Sequence, residues 1–372
     1  MSFKDKYFKK TESFYPEKLC IRFGDVVIEY SKVMDLRYGT NPHQPASYYK
    51  IMTEFDMFFG DLEIIKNGKD GLSQTNIEDA NQAYKILKYF DKPAVAVMKH
   101  LNPSGVAIKF NQEEKLKDVY IKAREADPQA AFGASVVFNT EVDEYTADEI
   151  MQTVVENVFA PGYTKEAIRV FNNFDKYKRN KQIRIIKVKN INSLPKYRDD
   201  KALPEIKLLQ DGSVIIAEQF LTKIKSSDDF IKAYYKDENG IIEVKREPTE
   251  RELNDMLFAW YVNIGVRSNG IVIVKNGVTL SIGTGEQDRV GALEQAINKA
   301  KTKNKLGISL DGAVLSSDGF FPFRDSIDLA ASVGISAIVQ PGGSLRDKEI
   351  IEACNEHNIT MVFTDERSFS HH

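Results

Sequence analysis

Apolar and polar positions along the chain follow two alternating patterns. Short apolar runs bounded by Gly, Pro, Asn or Asp alternate with segments in which apolar residues recur at helical spacing. Residues 73–90 are the clearest helical segment, with Thr75 or Asn76 as the expected N-cap, and the apolar run Ala94–Met98 follows them. Because helix and short strand alternate repeatedly, the pattern predicts an α/β fold.

Both halves of the chain repeat this alternation. Thr249 and Glu252 form a capping box that predicts a helix start, and Asn276-Gly277 predicts a tight hairpin turn. Residues 190–248 are weakly patterned, and we interpret them as a connecting region. The further predicted helices cover 114–125, 144–155, 164–172, 290–301, 325–333 and 347–357, and the further predicted strands cover 134–139, 183–188, 313–317, 335–340 and 359–364.

Composition narrows the class of protein. The 372 residues include 51 Lys and Arg against 54 Asp and Glu, so the net charge of −3 gives no electrostatic reason to expect nucleic acid or an anionic membrane as the main partner. Cys20 and Cys354 are the only cysteines, which excludes a disulfide framework and a Cys-based zinc site. No apolar run approaches the roughly 18 residues that span a bilayer. The first ten residues lack the apolar core of a signal peptide, so we expect a cytoplasmic protein.

The most informative stretch is Pro93–Gly105, PAVAVMKHLNPSG. Its apolar run suits a strand buried on both faces, as in parallel sheets, where ligands bind beyond the carboxyl ends of the strands. Lys99 and His100 stand at that end and offer a cation beside a group that titrates near neutrality. On this stretch alone, a solvated Lys and a packed structural His remain an alternative.

Three other segments carry binding chemistry. LRYGTNPHQ places Arg37, Tyr38 and His43 around turn residues, although an exposed polar turn is an equal alternative. The glycines of GTGEQDRV precede a helix and form a plausible anion site, but they match neither the P-loop nor GxGxxG. The FFPF run at 320–323 is either a plug in the core or a platform for an aromatic ligand, and the neighbouring Arg324 and Asp325 favour the platform.

Taken together and in order, several separated blocks resemble the AICAR transformylase (phosphoribosylaminoimidazolecarboxamide formyltransferase) family from about residue 35 to the end. The blocks are LRYGTNPHQ, MKHLNPSGVA, DPQAAFG, FAPGY, FAWYVNIGVRSN, IGTGEQDRV, SDGFFPFRDSID, PGGS, IEACNE and RSFSH. The resemblance implies duplicated, cytidine-deaminase-like three-layer α/β domains with a small helical connecting segment. We therefore expect a first domain at 1–200, a connecting region at 201–268 and a second domain at 269–372.

The resemblance also implies the reaction. A formyl group would pass from 10-formyltetrahydrofolate, the cosubstrate, to the 5-amino group of AICAR, giving FAICAR and tetrahydrofolate in purine biosynthesis. His100 would transfer the proton, and Lys99 would stabilise the tetrahedral oxyanion or protonate the leaving nitrogen. A zinc deaminase is disfavoured because the chain lacks H-x-E followed by P-C-x-x-C. Formate with ATP as the donor, and a non-catalytic nucleotide- or folate-binding protein, are the alternatives.

Partners and further site residues also follow from the resemblance. Since LRYGTNPHQ begins at Leu36, we expect a stand-alone transformylase with a separate IMP cyclohydrolase downstream, acting as a homodimer with shared active sites. A potassium site is implied around Ser268 and Asp318. The residues implied for AICAR are Arg37, Tyr38, His43, Gly133, Glu156, Asn269, Arg289, Gly319, Phe320 and Arg367, and those implied for the folate are Phe132, Val290, Pro322, Phe323 and Asp325.

Overall fold

The structure is a computed structural model, which describes residues 12–371 except 42, 53–58, 69, 190 and 239. Pro42 of the LRYGTNPHQ segment and the first ten residues therefore lie outside the described residues. The chain divides into two compact units. The first unit comprises 1–193, 277–281 and 299–307, and the second comprises 194–276, 282–298 and 308–372.

The strands alternate with helices along both units. The strands are β1 (Lys18–Phe23), β2 (Val26–Asp35), β3 (Ser47–Ile51), β4 (Glu63–Lys66), β5 (Ala94–Met98), β6 (Pro103–Ile108), β7 (Ala134–Phe138), β8 (Val155–Ala160), β9 (Arg184–Lys187), β10 (Glu205–Leu208), β11 (Val214–Ala217), β12 (Ile231–Lys232), β13 (Tyr234–Asp237), β14 (Gly240–Glu243), β15 (Ile271–Lys275), β16 (Val278–Gly283), β17 (Ala313–Ser317), β18 (Ile335–Gln340) and β19 (Thr360–Phe363). The helices are α1 (Gln74–Leu87), α2 (Leu116–Glu125), α3 (Pro128–Ala131), α4 (Glu144–Gln152), α5 (Lys165–Phe171), α6 (Glu250–Asn263), α7 (Arg289–Thr302), α8 (Asp325–Ser332) and α9 (Asp347–Glu356).

In the first unit, β5 lies between β6 and β7 and is antiparallel to both. Strands β7, β8 and β9 then run parallel, and β4 closes this edge in antiparallel orientation. All residues of β5 and β7 are buried, which explains their continuous apolar sequences. A separate antiparallel sheet contains β1, β2 and β3. The sheet is therefore mixed, with its parallel part beside the strand that carries Lys99.

The second unit repeats this strand order. Strand β15 is antiparallel to β17, and β17, β18 and β19 run parallel, with β12 antiparallel to β19 at the edge. Two hairpins, β10–β11 and β13–β14, complete the unit. Asn276 and Gly277 both adopt positive φ, 54° and 69°, as the turn signal between β15 and β16 predicts.

Two expectations from the sequence need correction. The strand that ends at Lys99 has antiparallel neighbours, because the Asn-Pro turn folds β6 directly back onto β5. Ser73 caps α1, and Asn76 instead closes the capping box by accepting from the Ser73 N–H. Residues 190–248 contain β10 to β14, whose strands of two to four residues are too short to show periodicity. Along the described residues, no helix is both long and apolar enough to cross a bilayer.

Candidate functional site

The turn between β5 and β6 carries the candidate catalytic pair. The Lys99 N–H donates to the carbonyl of Asn102 across 2.9 Å, which closes the turn, and Leu101 adopts a φ of +61°. His100 is exposed and Lys99 is half-buried. Because β5 is buried along its whole length, the first residues that can meet a ligand are these two.

Lys99 reaches the start of β7. Its ammonium donates to the carbonyl oxygen of Phe132, and a Cβ on Gly133 would lie 3.7 Å from the Lys99 Nζ. The antiparallel register, which pairs Met98 with Ser135, brings these segments together. Gly133 has a φ of +71°, which a side chain would strain. Lys99, Phe132 and Gly133, predicted from three different roles, therefore lie at one place, with the Phe132 ring 62% exposed beside them.

Beneath the turn lies a buried hydrogen-bonded chain. Asp79 of α1 accepts from the Leu101 N–H at 2.7 Å through Oδ1 and from the Ser135 hydroxyl at 2.9 Å through Oδ2. Asn157 donates to the Ser135 hydroxyl at 3.0 Å and accepts from Arg184 at 3.1 Å. Burial raises the pKa of Asp79 to about 6, although these two hydrogen bonds oppose the shift. The carboxyl group is thus poised to titrate just below neutrality.

Sequence reasoning missed Asp79. The usable signal was its place on α1, because Asp79 is four and seven residues before Ala83 and Ile86, so it lies on the apolar face. An acidic residue on the buried face of a helix indicates a partner or a function.

A second charged cluster surrounds Arg184, which is 1% exposed. Its Nη1 lies 3.9 Å from Glu156 Oε2, and its Nη2 is buried without a hydrogen-bond partner among the described residues. Burial, followed by the charge of Arg37, lowers the pKa of Arg184 to about 10, while Glu156 and Tyr38 act in the opposite direction. Arg37 donates to the Tyr38 hydroxyl at 2.7 Å. Three of the predicted nucleotide contacts therefore share one electrostatic environment, whereas His43 lies on an exposed turn.

In the second unit, the predicted residues gather around Asp318, which is fully buried. Its Oδ1 pairs with Arg289, and its Oδ2 accepts from the Ser268 hydroxyl and, at 2.9 Å, from the Gly270 N–H. Both carboxylate oxygens thus accept from donors of the protein, and the potassium site that the resemblance implied around Ser268 and Asp318 stays a prediction. Among the described residues, no group of three or more His, Cys, Asp or Glu side chains could hold a metal ion.

Gly319 lies in close contact with two side chains. A Cβ there would lie 2.3 Å from Arg289 Nη2 and 2.7 Å from the Phe369 ring. The guanidinium of Arg367 lies 4.7 Å from the centre of that same ring. The backbone at Gly319 and the side chains of Arg289 and Arg367 therefore meet around Phe369, a residue of the RSFSH block to which the sequence analysis gave no role.

Asn269 directly follows Ser268 in the chain. Its side-chain Nδ2 donates to the Glu286 carbonyl at 2.9 Å, and its backbone N–H donates to the same oxygen at 3.2 Å. The Gly-rich turn that contains Glu286 is therefore anchored to Asn269.

The FFPF segment combines the two interpretations offered above, a plug in the core and an exposed aromatic platform. Phe321 is fully buried and its N–H donates to Gln340 at 2.9 Å, so this ring is part of the core. Phe320 and Phe323 are 46% and 47% exposed, and the Arg346 guanidinium lies 4.8 Å from the centre of the Phe323 ring. Asp325 is exposed, whereas Val290 and Pro322 are partly buried. The segment is therefore anchored in the core by the Phe321 ring and exposes Phe320 and Phe323 to solvent.

Arg324 is not part of the exposed aromatic surface of Phe320 and Phe323. Its guanidinium forms ion pairs with Asp328 at 3.0 Å and Glu356 at 2.7 Å, so it links α8 to α9.

Comparison with known proteins gives one family. A model described as AICARFT/IMPCHase bienzyme matches residues 4–299. The bifunctional purine biosynthesis protein PurH of Clostridium perfringens strain 13 is 41% identical over 360 residues, which are 97% of this chain and 62% of that protein. The proteins of the same name from Aquifex aeolicus and Acetivibrio thermocellus are 40% and 38% identical over 94% and 97% of this chain, and 62% of each is covered. The chain thus spans about three fifths of the length of these relatives.

Proposed function

This chain belongs to the AICARFT/IMPCHase bienzyme family, and we propose that it transfers a formyl group from 10-formyltetrahydrofolate to the 5-amino group of AICAR. The products are FAICAR and tetrahydrofolate. The observation that carries the proposal is the turn at Lys99 and His100, where a cation and an imidazole stand next to each other at the end of a buried strand.

The chemistry asks for a base and a cation. The amine nitrogen attacks the formyl carbon and loses a proton, the carbonyl oxygen becomes an oxyanion, and the bond to N10 of the folate breaks as N10 gains a proton. His100 takes the proton from the amine, and Lys99 stabilises the oxyanion or protonates N10. The Lys99 ammonium donates to the carbonyl oxygen of Phe132, and this ability to bind an oxygen acceptor supports the role.

The nucleotide and folate contacts are part of the same proposal. The Glu156 side chain is 35% exposed beside the buried Arg184, which supports a contact from Glu156 to a polar substrate group such as a ribose hydroxyl. The exposed rings of Phe320 and Phe323 support a binding surface for a flat apolar group. We assign AICAR to Arg37, Tyr38, His43, Gly133, Glu156, Asn269, Arg289, Gly319, Phe320 and Arg367, and the folate to Phe132, Val290, Pro322, Phe323 and Asp325.

We also propose the finer fold, a duplicated deaminase-like unit. Its support is the shared order of elements. Apart from the four-residue helix α3, the series α1, β5, β6, α2, β7, α4, β8, α5 and β9 has the same order of types as α6, β15, β16, α7, β17, α8, β18, α9 and β19. In both sets an antiparallel strand precedes three parallel ones. A homodimer with shared active sites and a separate IMP cyclohydrolase remain predictions.

A reaction with both substrates tests the function. The protein is mixed with AICAR and 10-formyltetrahydrofolate, tetrahydrofolate is followed by absorbance, and FAICAR and IMP are separated by chromatography. FAICAR without IMP supports both the transformylase and a separate cyclohydrolase, and IMP would contradict the latter. Turnover only with formate and ATP would overturn the assignment of the formyl donor. Absence of turnover with both donors would overturn the proposal that the chain is a formyltransferase.

A further inference from the structure

In both units, a helix aspartate accepts a hydrogen bond from the backbone of the turn that follows the equivalent strand. In the first unit, Asp79 of α1 accepts from the N–H of Leu101 in the turn after β5, at 2.7 Å. In the second, Asp255 of α6 accepts from the N–H of Asn276 in the turn after β15, at 2.9 Å. Each aspartate is the sixth residue of a 14-residue helix, and each turn residue has a positive φ, 61° and 54°. The repetition shows that the contact is a built feature of this fold.

The two aspartates differ in their second contact. Asp255 pairs with Arg251 at 2.8 Å, whereas Asp79 accepts from the neutral hydroxyl of Ser135. Among the residues that the structure describes, no Lys or Arg forms an ion pair with Asp79. Both aspartates are almost fully buried, 4% and 1% exposed. A buried carboxylate without a cation is costly to keep ionised, so the ionised Asp79 is explained better by a role in the site than by stability.

We propose that Asp79 is a positioning residue for formyl transfer, because its carboxylate holds the Leu101 N–H and thereby fixes the turn that carries Lys99 and His100. The inference rests on the function proposed above. Leu101 directly follows His100, and its left-handed conformation sets the direction in which the chain leaves the pair. Ser135 in turn holds the second carboxylate oxygen, so α1, the turn and β7 are tied at one group.

The charge state of Asp79 determines how firmly the turn is held. A hydrogen bond to a carboxylate is about twice as strong as one to a neutral acceptor. Glu78 on α1 and Glu156 on β8 both disfavour the ionised form, Lys99 and His100 lie on the turn itself, and Arg184 joins through Asn157. Protonation of Asp79 therefore loosens the turn on the acid side of neutrality.

Kinetics of the full chain test the inference with two variants. Asp79→Ala removes the acceptor, and we expect kcat to fall about 10- to 100-fold while KM for AICAR changes by less than about twofold. Asp79→Asn keeps an acceptor oxygen, so kcat should recover partly. Because Asn does not titrate, the acid limb of its pH profile should be shallower than that of the natural chain.

The matched control is Asp255→Asn, which disturbs the equivalent contact at the end of β15 opposite to Asn269. We expect it to lower the melting temperature and to leave kcat and the pH profile unchanged. Equal kcat for the natural chain and Asp79→Ala, or an unchanged acid limb in Asp79→Asn, would overturn the inference.

Hydrogen exchange of the Leu101 amide separates this inference from the proposed function, because it needs no turnover. The amide should be protected in the natural chain, weakly protected in Asp79→Asn and unprotected in Asp79→Ala. Unchanged protection in Asp79→Ala would overturn the positioning role even in an active enzyme. If the natural chain shows no formyl transfer and Asp79→Ala still loses the protection of the Leu101 amide, the result supports the contact and counts against the proposed function alone.

Discussion

At the scale of single residues, Lys99 and His100 differ in their surroundings although they are neighbours. The Lys99 ammonium is held by the Phe132 carbonyl, while the His100 ring is exposed. We expect Lys99→Ala and His100→Ala each to lower kcat by about 10²- to 10⁴-fold, the usual worth of a proton-transfer group. AICAR affinity, measured by calorimetry, should change only slightly. If both variants fail to fold by circular dichroism, the two residues are structural and the prediction is wrong.

Asp79 should show the signature of a residue kept for function. Its pKa of about 6 lies above its ordinary value of 3.8, so the folded chain binds a proton more tightly than the unfolded one, and ionisation costs about 3 kcal/mol. This cost is fully present above about pH 6 and disappears as the pH falls to about 4. We therefore expect Asp79→Asn to raise the free energy of unfolding at pH 7.5, and the gain to vanish near pH 4. A variant that is less stable at pH 7.5 would contradict this balance of charges.

At the scale of elements, the start of α6 contains a buried carboxyl group whose pKa is lowered, in contrast to the raised pKa of Asp79. Glu252 is buried, which alone would raise its pKa, but hydrogen bonds from Arg246, Ser336 and the Thr249 N–H prevail and hold the pKa at about 2. The stability that Glu252 contributes is therefore fully present above its ordinary value of 4.5 and is lost as the pH falls through about 2.

The corresponding test is Glu252→Gln. We expect it to lower the free energy of unfolding by about 3 kcal/mol at pH 7, with the difference closing between about pH 4.5 and pH 2. Glu250→Gln is the control, since Glu250 occupies the same first turn but is exposed, and it should change stability by less than about 0.5 kcal/mol. Chemical denaturation at several pH values measures both. Equal losses would show that the helix dipole, rather than the buried network, is responsible.

Element types were predictable where the sequence carries its own local signal. The capping box at Thr249 and the turn at Asn276-Gly277 depend only on neighbouring residues, and the structure has both. The orientation of β5 relative to β7 was not predictable in this way, because a strand buried on both faces has the same sequence pattern in parallel and antiparallel sheets. The hydrogen bond from Leu101 to Asp79 joins residues 22 apart, so no local pattern indicates it.

At the scale of the whole molecule, the repeated order of elements accounts for much of what the sequence could indicate. Two segments with the same alternation of helix and strand give two units with the same strand pairing. The second-unit hairpins within 190–248 are outside this repeat, and they lie in the part that the sequence pattern described least.

One of these hairpins, β10–β11, leaves an apolar face uncovered. Leu208 lies opposite Val214, and Ile206 lies opposite Ile216, so these four side chains share one face, each 41% to 72% exposed. A two-stranded hairpin is marginally stable alone, and a face of this kind normally marks an interaction site. The proposed homodimer would provide its cover, namely a second copy of the chain.

Charge placed on that face should therefore separate the copies. We expect sedimentation to show a dimer for the natural chain and a monomer for Leu208→Lys combined with Ile216→Lys, because burying two lysines against an apolar surface is unfavourable. Ile215→Lys is the control, since Ile215 is 50% exposed on the opposite face and should leave the dimer intact. If the active sites are shared, the monomeric variant should also lose formyl transfer. A natural chain that is monomeric and fully active would exclude the dimer, and a double variant that remains dimeric would place the interface elsewhere.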